Sequence, residues 1–341
     1  MRHPILGVTM GDPAGVGPEI IARAAADPRV RRDSRPVVIG AASAMSAALA
    51  LVASPLTLHA VKRVADCRWA DDTVEVLDLA NLDMQTLPRG AVSAEAGRAA
   101  YDYVERAVAL AQAREIDGIV TAPINKEALA AAGMQHTGHT EILARLSNTA
   151  DFAMLLMGHE LRVIHVTTHV ALRRVPDLVT RERVLKTIRL AQRTMQGLGR
   201  REARIAVAGL NPHAGEDGLF GDEEKTSIVP AIEAARAEGM TVTGPLPADT
   251  LFSRARGGEF DIVVAMYHDQ GHIPVKTVGF TYDEASRRWT GLSGVNVTVG
   301  LPFLRVSVDH GTAFDRAWKG LANPESMIEA IDVAVRMLAA T

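Results

Sequence analysis

Cysteine is nearly absent: Cys67 is the only one in 341 residues. No internal disulfide is possible and no cysteine-based zinc site exists, which fits a reducing compartment. An excess of positive charge is also missing. The net charge is −3 and the pI near 6.4, so no overall basic field argues for a nucleic-acid partner. The single basic cluster, RVRRDSR at 29–35, precedes the strand-like PVVIG and reads as a solvated loop. Long apolar runs are lacking as well. The one uncharged stretch, Gly40 to Leu58, is rich in Ala and Ser and broken by Pro55, which predicts a packed helix followed by a strand. The opening MRHPILGVTMGDPAG meets glycine and proline too early to form a signal-peptide core. No repeat, low-complexity tract or Gly/Ser linker occurs. Together these absences predict a soluble, cytoplasmic protein that binds neither nucleic acid nor membrane.

What is present is ordinary globular composition, with 48% hydrophobic and 23% charged residues. At roughly 150 residues per domain, the length predicts two domains, closely joined by a chain that crosses back and forth. Short β-rich runs (ILGVTM, RPVVIG, DGIVTAP, LRVIHVTT, ARIAVAGL, DIVVAM, LRVSVD) alternate with stretches of helical period. The helical stretches include AEAGRAAYDYVERAVALAQARE, which starts from a cap site at Ser93. TRERVLKTIRLAQRTMQGLG and KTSIVPAIEAARAEGM run to glycine, a common helix stop. This alternation predicts an α/β architecture with a largely parallel sheet covered by helices.

Three strands finish in polar loops that carry a histidine at a similar offset: VIHVTTH at His169, IAVAGLNPH at His213 and IVVAMYH at His268. In a parallel sheet the carboxyl ends of strands share one edge, where ligands collect. Three imidazoles reaching that edge fit a three-histidine metal site with positions left open for substrate or water. Asp269 is placed to orient one imidazole, and Pro212 and Gly215 to fix the turn that aims His213. His165, between valines, reads as a core histidine. The stretch YHDQGHIPVK reads as a loop, in which His272 serves either purpose. Zinc, cobalt or nickel suit neutral imidazole better than magnesium, which substrate oxygens can still bring in.

Anion-binding groups accompany the histidines. TGHTE at 137–141 opens a helical run and offers hydrogen-bonding groups, with a capping box through Thr140 as the alternative. Lys276, Asn296 and Arg305 follow, and lysine plus arginine with few nearby acids suits phosphate or carboxylate. GDPAGVGPE at 11–19 lies between a strand and a helix but does not fit G-x-G-x-x-G, and no P-loop occurs.

In order along the chain, GDPAGVGPE, GHTE, TTH, LNPHAGE, PADT, YHDQG and SVDHGTA resemble the motifs of the 4-hydroxythreonine-4-phosphate dehydrogenase family, over about residues 7–336. That family is similar in fold to isocitrate and isopropylmalate dehydrogenases. The resemblance implies two α/β/α domains with an active-site cleft between them, residues 1–127 with 297–341 forming one and 128–296 the other. It implies a divalent metal (zinc, cobalt or magnesium) on His169, His213 and His268, with His268 supplied by the second subunit of a homodimer. It implies substrate contacts from His139, Thr140, Lys276, Asn296 and Arg305. NAD is expected at the loops holding Gly11, Asp12, His310, Gly311, Thr312 and Ala313. The family reaction oxidises the C3 hydroxyl of a phosphorylated four-carbon acid, whose keto product loses CO₂. Asp249, Asp269 and Lys276 remain open as candidates for the general base.

Two departures stand out. TVGFTYDEASRRWTGLSGV between Lys276 and Asn296 is longer than the link of the pyridoxal-phosphate-pathway enzyme. HDQGHIPVK and HGTAFDRAWKG look more like a sister branch that oxidises 4-phospho-D-threonate or 4-phospho-D-erythronate. Outside this family, a three-histidine site also suits a metal-dependent hydrolase or aldolase, and the broad fold is shared with phosphotransacetylases.

Overall fold

The computed structural model describes residues 3–134, 138–158, 161–284, 287–292 and 294–339, with the side chains of 281–283 and 288–292 left aside. The chain forms two compact units, residues 1–150 with 301–339 and residues 151–300.

In the first unit, β1 (Ile5–Thr9) leads through α1 (Gly17–Ala25) and α2 (Pro28–Asp33) to β2 (Arg35–Gly40). Next come α3 (Ala42–Leu51), β3 (Thr57–Val61), β4 (Thr73–Asp78), α4 (Ala94–Gln112), β5 (Gly118–Thr121), α5 (Lys126–Ala131) and α6 (His139–Leu146). The basic cluster is therefore not a loop. Asp27 caps α2 by accepting the Arg29 N–H at 2.8 Å, and Pro28 occupies the first turn, where its missing N–H costs nothing. That Asp-Pro start was the overlooked signal. Ser93 caps α4 as expected, accepting from the Ala96 N–H.

The second unit opens with β6 (Ala153–Met157) and β7 (Arg162–His165), then α7 (Val175–Leu178), α8 (Arg181–Gly197) and β8 (Ile205–Ala208). It continues through α9 (Val229–Ala237), β9 (Val242–Leu246), α10 (Ala248–Arg256), β10 (Ile262–Ala265) and α11 (His268–Gly279). A hairpin of β11 (Phe280–Asp283) and β12 (Arg288–Leu292) fills the long link, and β13 (Val295–Val299) follows. The chain then returns to the first unit with β14 (Leu304–Val308) and α12 (Glu325–Ala339).

The first unit orders its strands β3-β4-β2-β1-β5-β14, all parallel. The second orders them β13-β6-β7-β10-β8-β9, antiparallel on both sides of β6 and parallel from β7 to β9. The mixed α/β architecture is as expected. β5, β8 and β10 are buried along their whole length, which explains their unbroken apolar sequences. Among the described residues no helix is long and apolar enough to cross a membrane.

The expected histidine loop is instead a helix, α11, running on through Pro274. Its glycine, proline and two histidines carry weak helix propensity, and packing overrides them. Gly271 lets α11 settle onto β7: a Cβ there would stand 2.4 Å from His165 Nε2 and 2.6 Å from Val163 Cγ1. Gly271→Ala is expected to lose about 1–3 kcal/mol through overpacking. Urea unfolding checks this, and an unchanged midpoint would mean the helix does not sit this close.

Candidate active site

β7, β10 and β8 are adjacent and parallel, so their carboxyl ends lie side by side. His169 follows β7, His213 follows β8, and His268 begins α11 directly after β10. Two hydrogen-bonded ties join these segments. Thr167 Oγ1 donates to the Met266 carbonyl at 2.8 Å. Gln270, buried, accepts from the Met266 N–H at 2.6 Å and donates through Nε2 to the Gly209 carbonyl at 2.8 Å, joining the His268 segment to the His213 segment. A buried amide with both ends satisfied is a rigid brace.

The imidazoles differ in environment. His268 Nδ1 donates to Asp269 Oδ1 at 2.7 Å, which directs Nε2 outward, as a carboxylate behind a metal-ligating histidine does. That hydrogen bond also holds the Asp269 carboxyl below its ordinary range. The rings of His169 and His268 are 5.7 Å apart, and His268 stacks on His272 at 3.7 Å. His165 is the core histidine its position predicts. Its Nδ1 donates to the Met154 carbonyl at 3.1 Å, and burial followed by the nearby His272 pulls its pKa to about 3. His213 sits in a left-handed run with φ of 53° there, 54° at Ala214, 84° at Gly215, 43° at Glu216 and 56° at Asp217. Each non-glycine residue in that region costs about 1–2 kcal/mol. Among the described residues of one chain, no three histidine, cysteine or acidic side chains are disposed to hold a metal ion.

Of the other expected residues in this unit, Lys276 is half-buried on α11, its Nζ 5.9 Å from the Phe280 ring centroid. Asn296 lies on β13 opposite Leu156. Asp249 is exposed in the first turn of α10.

In the first unit, His139 and Thr140 open α6, while Thr137 lies outside the described residues. The capping box does not form: Gly138 is the cap residue and no side chain caps the helix. Arg305 on β14 is 3% exposed and donates to Thr121 Oγ1 at 2.7 Å. Burial drags its guanidinium pKa down to about 9, against a partial lift from Glu141. Burial, then the Arg305 charge, pushes His139 well below its ordinary value, so its imidazole is neutral. His139 Nε2 is buried with no partner among the described residues. A neutral imidazole beside a buried guanidinium is suited to an anionic ligand, whose charge would offset the burial of the arginine.

The two loops expected at NAD meet in this unit. Val16 N–H donates to the Thr312 carbonyl at 3.0 Å, and Trp318 Nε1 to the Pro13 carbonyl at 3.0 Å. Gly11 takes φ +71°, and a Cβ there would stand 2.3 Å from the Pro123 carbonyl oxygen. His310 donates through Nδ1 to Gly311 O at 3.0 Å within its loop, and its Nε2 is bonded to Ser326 Oγ on α12 at 2.9 Å. Ala313 has φ 44°, and Thr312 is buried. Asp12 is fully buried. Its Oδ1 accepts from the Ala14 N–H at 2.9 Å, whereas Oδ2 has no partner among the described residues. Burial pushes this carboxyl up to about 6. A buried acceptor lacking a donor fits a ligand hydroxyl, so the residues present suit a ribose-bearing cofactor.

Residues 32–334 match the family described as pyridoxal phosphate biosynthetic protein PdxA. The chain belongs to the PdxA family. It is 50% identical over 329 residues to a D-threonate 4-phosphate dehydrogenase of Cupriavidus necator, covering 96% of this chain and 95% of the relative. The crystal structure of a 4-hydroxythreonine-4-phosphate dehydrogenase from Klebsiella pneumoniae superposes with a TM-score of 0.87 at 45% identity, covering 98% of this chain and 99% of that one. A β-decarboxylating dehydrogenase of Thermococcus kodakarensis shares the fold alone, at a TM-score of 0.50 and 13% identity over 98% of this chain and 84% of that one. The expected family and fold are thus borne out.

In this PdxA-family chain the supporting residues went unread in the sequence. Thr121, Thr167, Gln270 and Glu224 act through polar contacts that reach across as many as 184 residues of sequence. Only the crowding of polar residues beside strand ends pointed to them.

Asp12 yields a pH test. Its native pKa is raised from 3.8 to about 6, so the folded state binds the proton more tightly and stability falls as pH rises through that window. Asp12→Asn removes the penalty. The variant is expected to be more stable than wild type above pH 6, by up to about 3 kcal/mol, with the gap closing toward pH 4. Denaturant titrations across pH 4–8 measure it.

Proposed function

We propose that this chain is an NAD-dependent, divalent-metal-dependent dehydrogenase. Its substrate is a 4-phosphorylated four-carbon hydroxy acid, with 4-phospho-D-threonate or 4-phospho-D-erythronate ahead of 4-phosphohydroxy-L-threonine. The C3 hydroxyl gives up a proton and a hydride to become a ketone, and the resulting β-keto acid releases CO₂. The observation that carries the reading is that β7, β8 and β10 end on one edge, so that each copy presents His169 and His213 there for its own site and His268 on the same edge for the site of a second copy. The substrate order follows the name of the Cupriavidus relative and the resemblance of HDQGHIPVK to the tetronate branch.

In this reading His169 and His213 of one chain and His268 of a second copy hold the ion. A divalent ion so held would supply Lewis acidity at the substrate oxygen. The Gly11–Asp12 loop and the loop through Thr312 would hold NAD, which would supply the hydride acceptor. Arg305 and His139 bind an anionic end of the substrate, and Lys276 and Asn296 orient the remainder. Lys276, Asp269 and Asp249 are the candidates for the base that takes the alcohol proton, Asp269 being hydrogen-bonded to His268 and Asp249 exposed. Exposed apolar side chains follow each histidine, Val170 and Leu172, Leu219 and Phe220, and Ile273. Such side chains suit burial against a second copy, which would complete the ligand set.

A substrate panel followed at the NADH absorbance tests this. Turnover of the two phosphotetronates is expected, lost on chelation and restored by zinc or cobalt. Turnover of 4-phosphohydroxy-L-threonine alone would reverse the substrate order, and indifference to chelator would remove the metal.

A further inference from the structure

The segment aiming His213 holds its backbone in an unusual way. Five consecutive residues from His213 to Asp217 lie in the left-handed region, and only Gly215 among them is a glycine. Such a run does not persist unless its surroundings impose it. The dominant constraint is one side chain, Glu224, 3% exposed at the start of the helical turn leading into α9.

Its carboxylate accepts three hydrogen bonds from the base of the loop. Oε1 takes the N–H groups of Leu210 at 2.7 Å and Asn211 at 2.8 Å, and Oε2 takes Asn211 Nδ2 at 2.9 Å. Asn211 Nδ2 also donates to Glu223 Oε2 at 2.7 Å. The loop wraps closely around the carboxylate. A Cβ on Gly215 would stand 2.8 Å from Glu224 Oε2, and one on Gly209 would stand 2.8 Å from Ala214 Cα and 3.2 Å from Glu224 Oε1. At the rim, Lys225 Nζ pairs with Asp217 Oδ1 at 2.7 Å, closing the far end of the run.

We propose that Glu224 is the positioning residue of His213: its buried carboxylate gathers the Leu210–Asn211 backbone and so imposes the left-handed turn that presents the imidazole for metal binding. This rests on the metal reading of His213 given above. Glu224 is buried under the loop and acts through its bonds to Leu210 and Asn211.

Cobalt(II) titration of the metal-stripped full-length protein, read by its visible d–d absorption, tests the proposal alongside hydrogen exchange at residues 210–218. Glu224→Ala is expected to weaken cobalt binding about 10–100-fold, the range seen when supporting contacts behind a ligand are lost. It should also shift the d–d band and speed exchange at Leu210 and Asn211. Glu224→Gln keeps one acceptor for both backbone N–H groups and should recover most of the affinity. Should the alanine variant fail to fold, Glu224→Gln and Asn211→Ala carry the test, with Asn211→Ala expected to bind cobalt several-fold more weakly. Wild-type affinity and band shape in Glu224→Ala, or in Asn211→Ala where that variant carries the test, would overturn the proposal alone. Wild-type protein that takes up no cobalt, or His213→Ala that binds as wild type does, would overturn the metal reading and this proposal with it.

Discussion

The buried Gln270 amide, tied at one end to Met266 and at the other to Gly209, is the contact on which the candidate site depends. Parallel strands bring their carboxyl ends to one edge, but the segments beyond them are free to diverge. Gln270 removes that freedom between the His268 and His213 segments, and Thr167 removes it between the His169 and His268 segments. Both ties are internal to the sheet edge, so the histidines inherit its rigidity. Gly271, immediately after Gln270, lets the helix bearing His268 lie against β7 with His165 beneath it.

Several features here oppose stability, and they coincide with the residues assigned to chemistry. Asp12 is buried with its pKa raised, Arg305 is buried with its pKa lowered, and four non-glycine residues beside Glu224 occupy left-handed backbone. Each is unfavourable in isolation; a ligand is a fitting partner for Asp12 and Arg305, and Glu224 supports the turn. Hydrogen bonds to a charged group contribute about 1.5–3 kcal/mol each. The three accepted by Glu224 are therefore of the right size to offset the strained turn. Nothing comparable offsets the buried carboxyl of Asp12, which suits a site awaiting a hydroxyl.

Much of this was legible in the sequence because it is local. The apolar runs marked the main parallel strands, Ser93 marked the start of α4, and the repeated strand-then-histidine pattern put His169, His213 and His268 just beyond β7, β8 and β10. What stayed hidden was decided at long range. YHDQGHIPVK looks like a turn until β7 is placed under Gly271, and RVRRDSR looks like solvated charge unless Asp27 and Pro28 are read as a helix start. Arg305 stood out only as a charge near a strand. Its burial, its bond to Thr121 and its influence on His139 follow from pairing β14 with β5, which no window of sequence contains.

Anomalous diffraction from crystals grown with cobalt tests most directly the proposal that two copies share an ion at this sheet edge. One anomalous peak per site is expected, about 2.0–2.2 Å from nitrogens of His169 and His213 of one subunit and of His268 from another. A peak bound by other side chains, or those three imidazoles too far apart to share an ion in the assembled protein, would contradict the account.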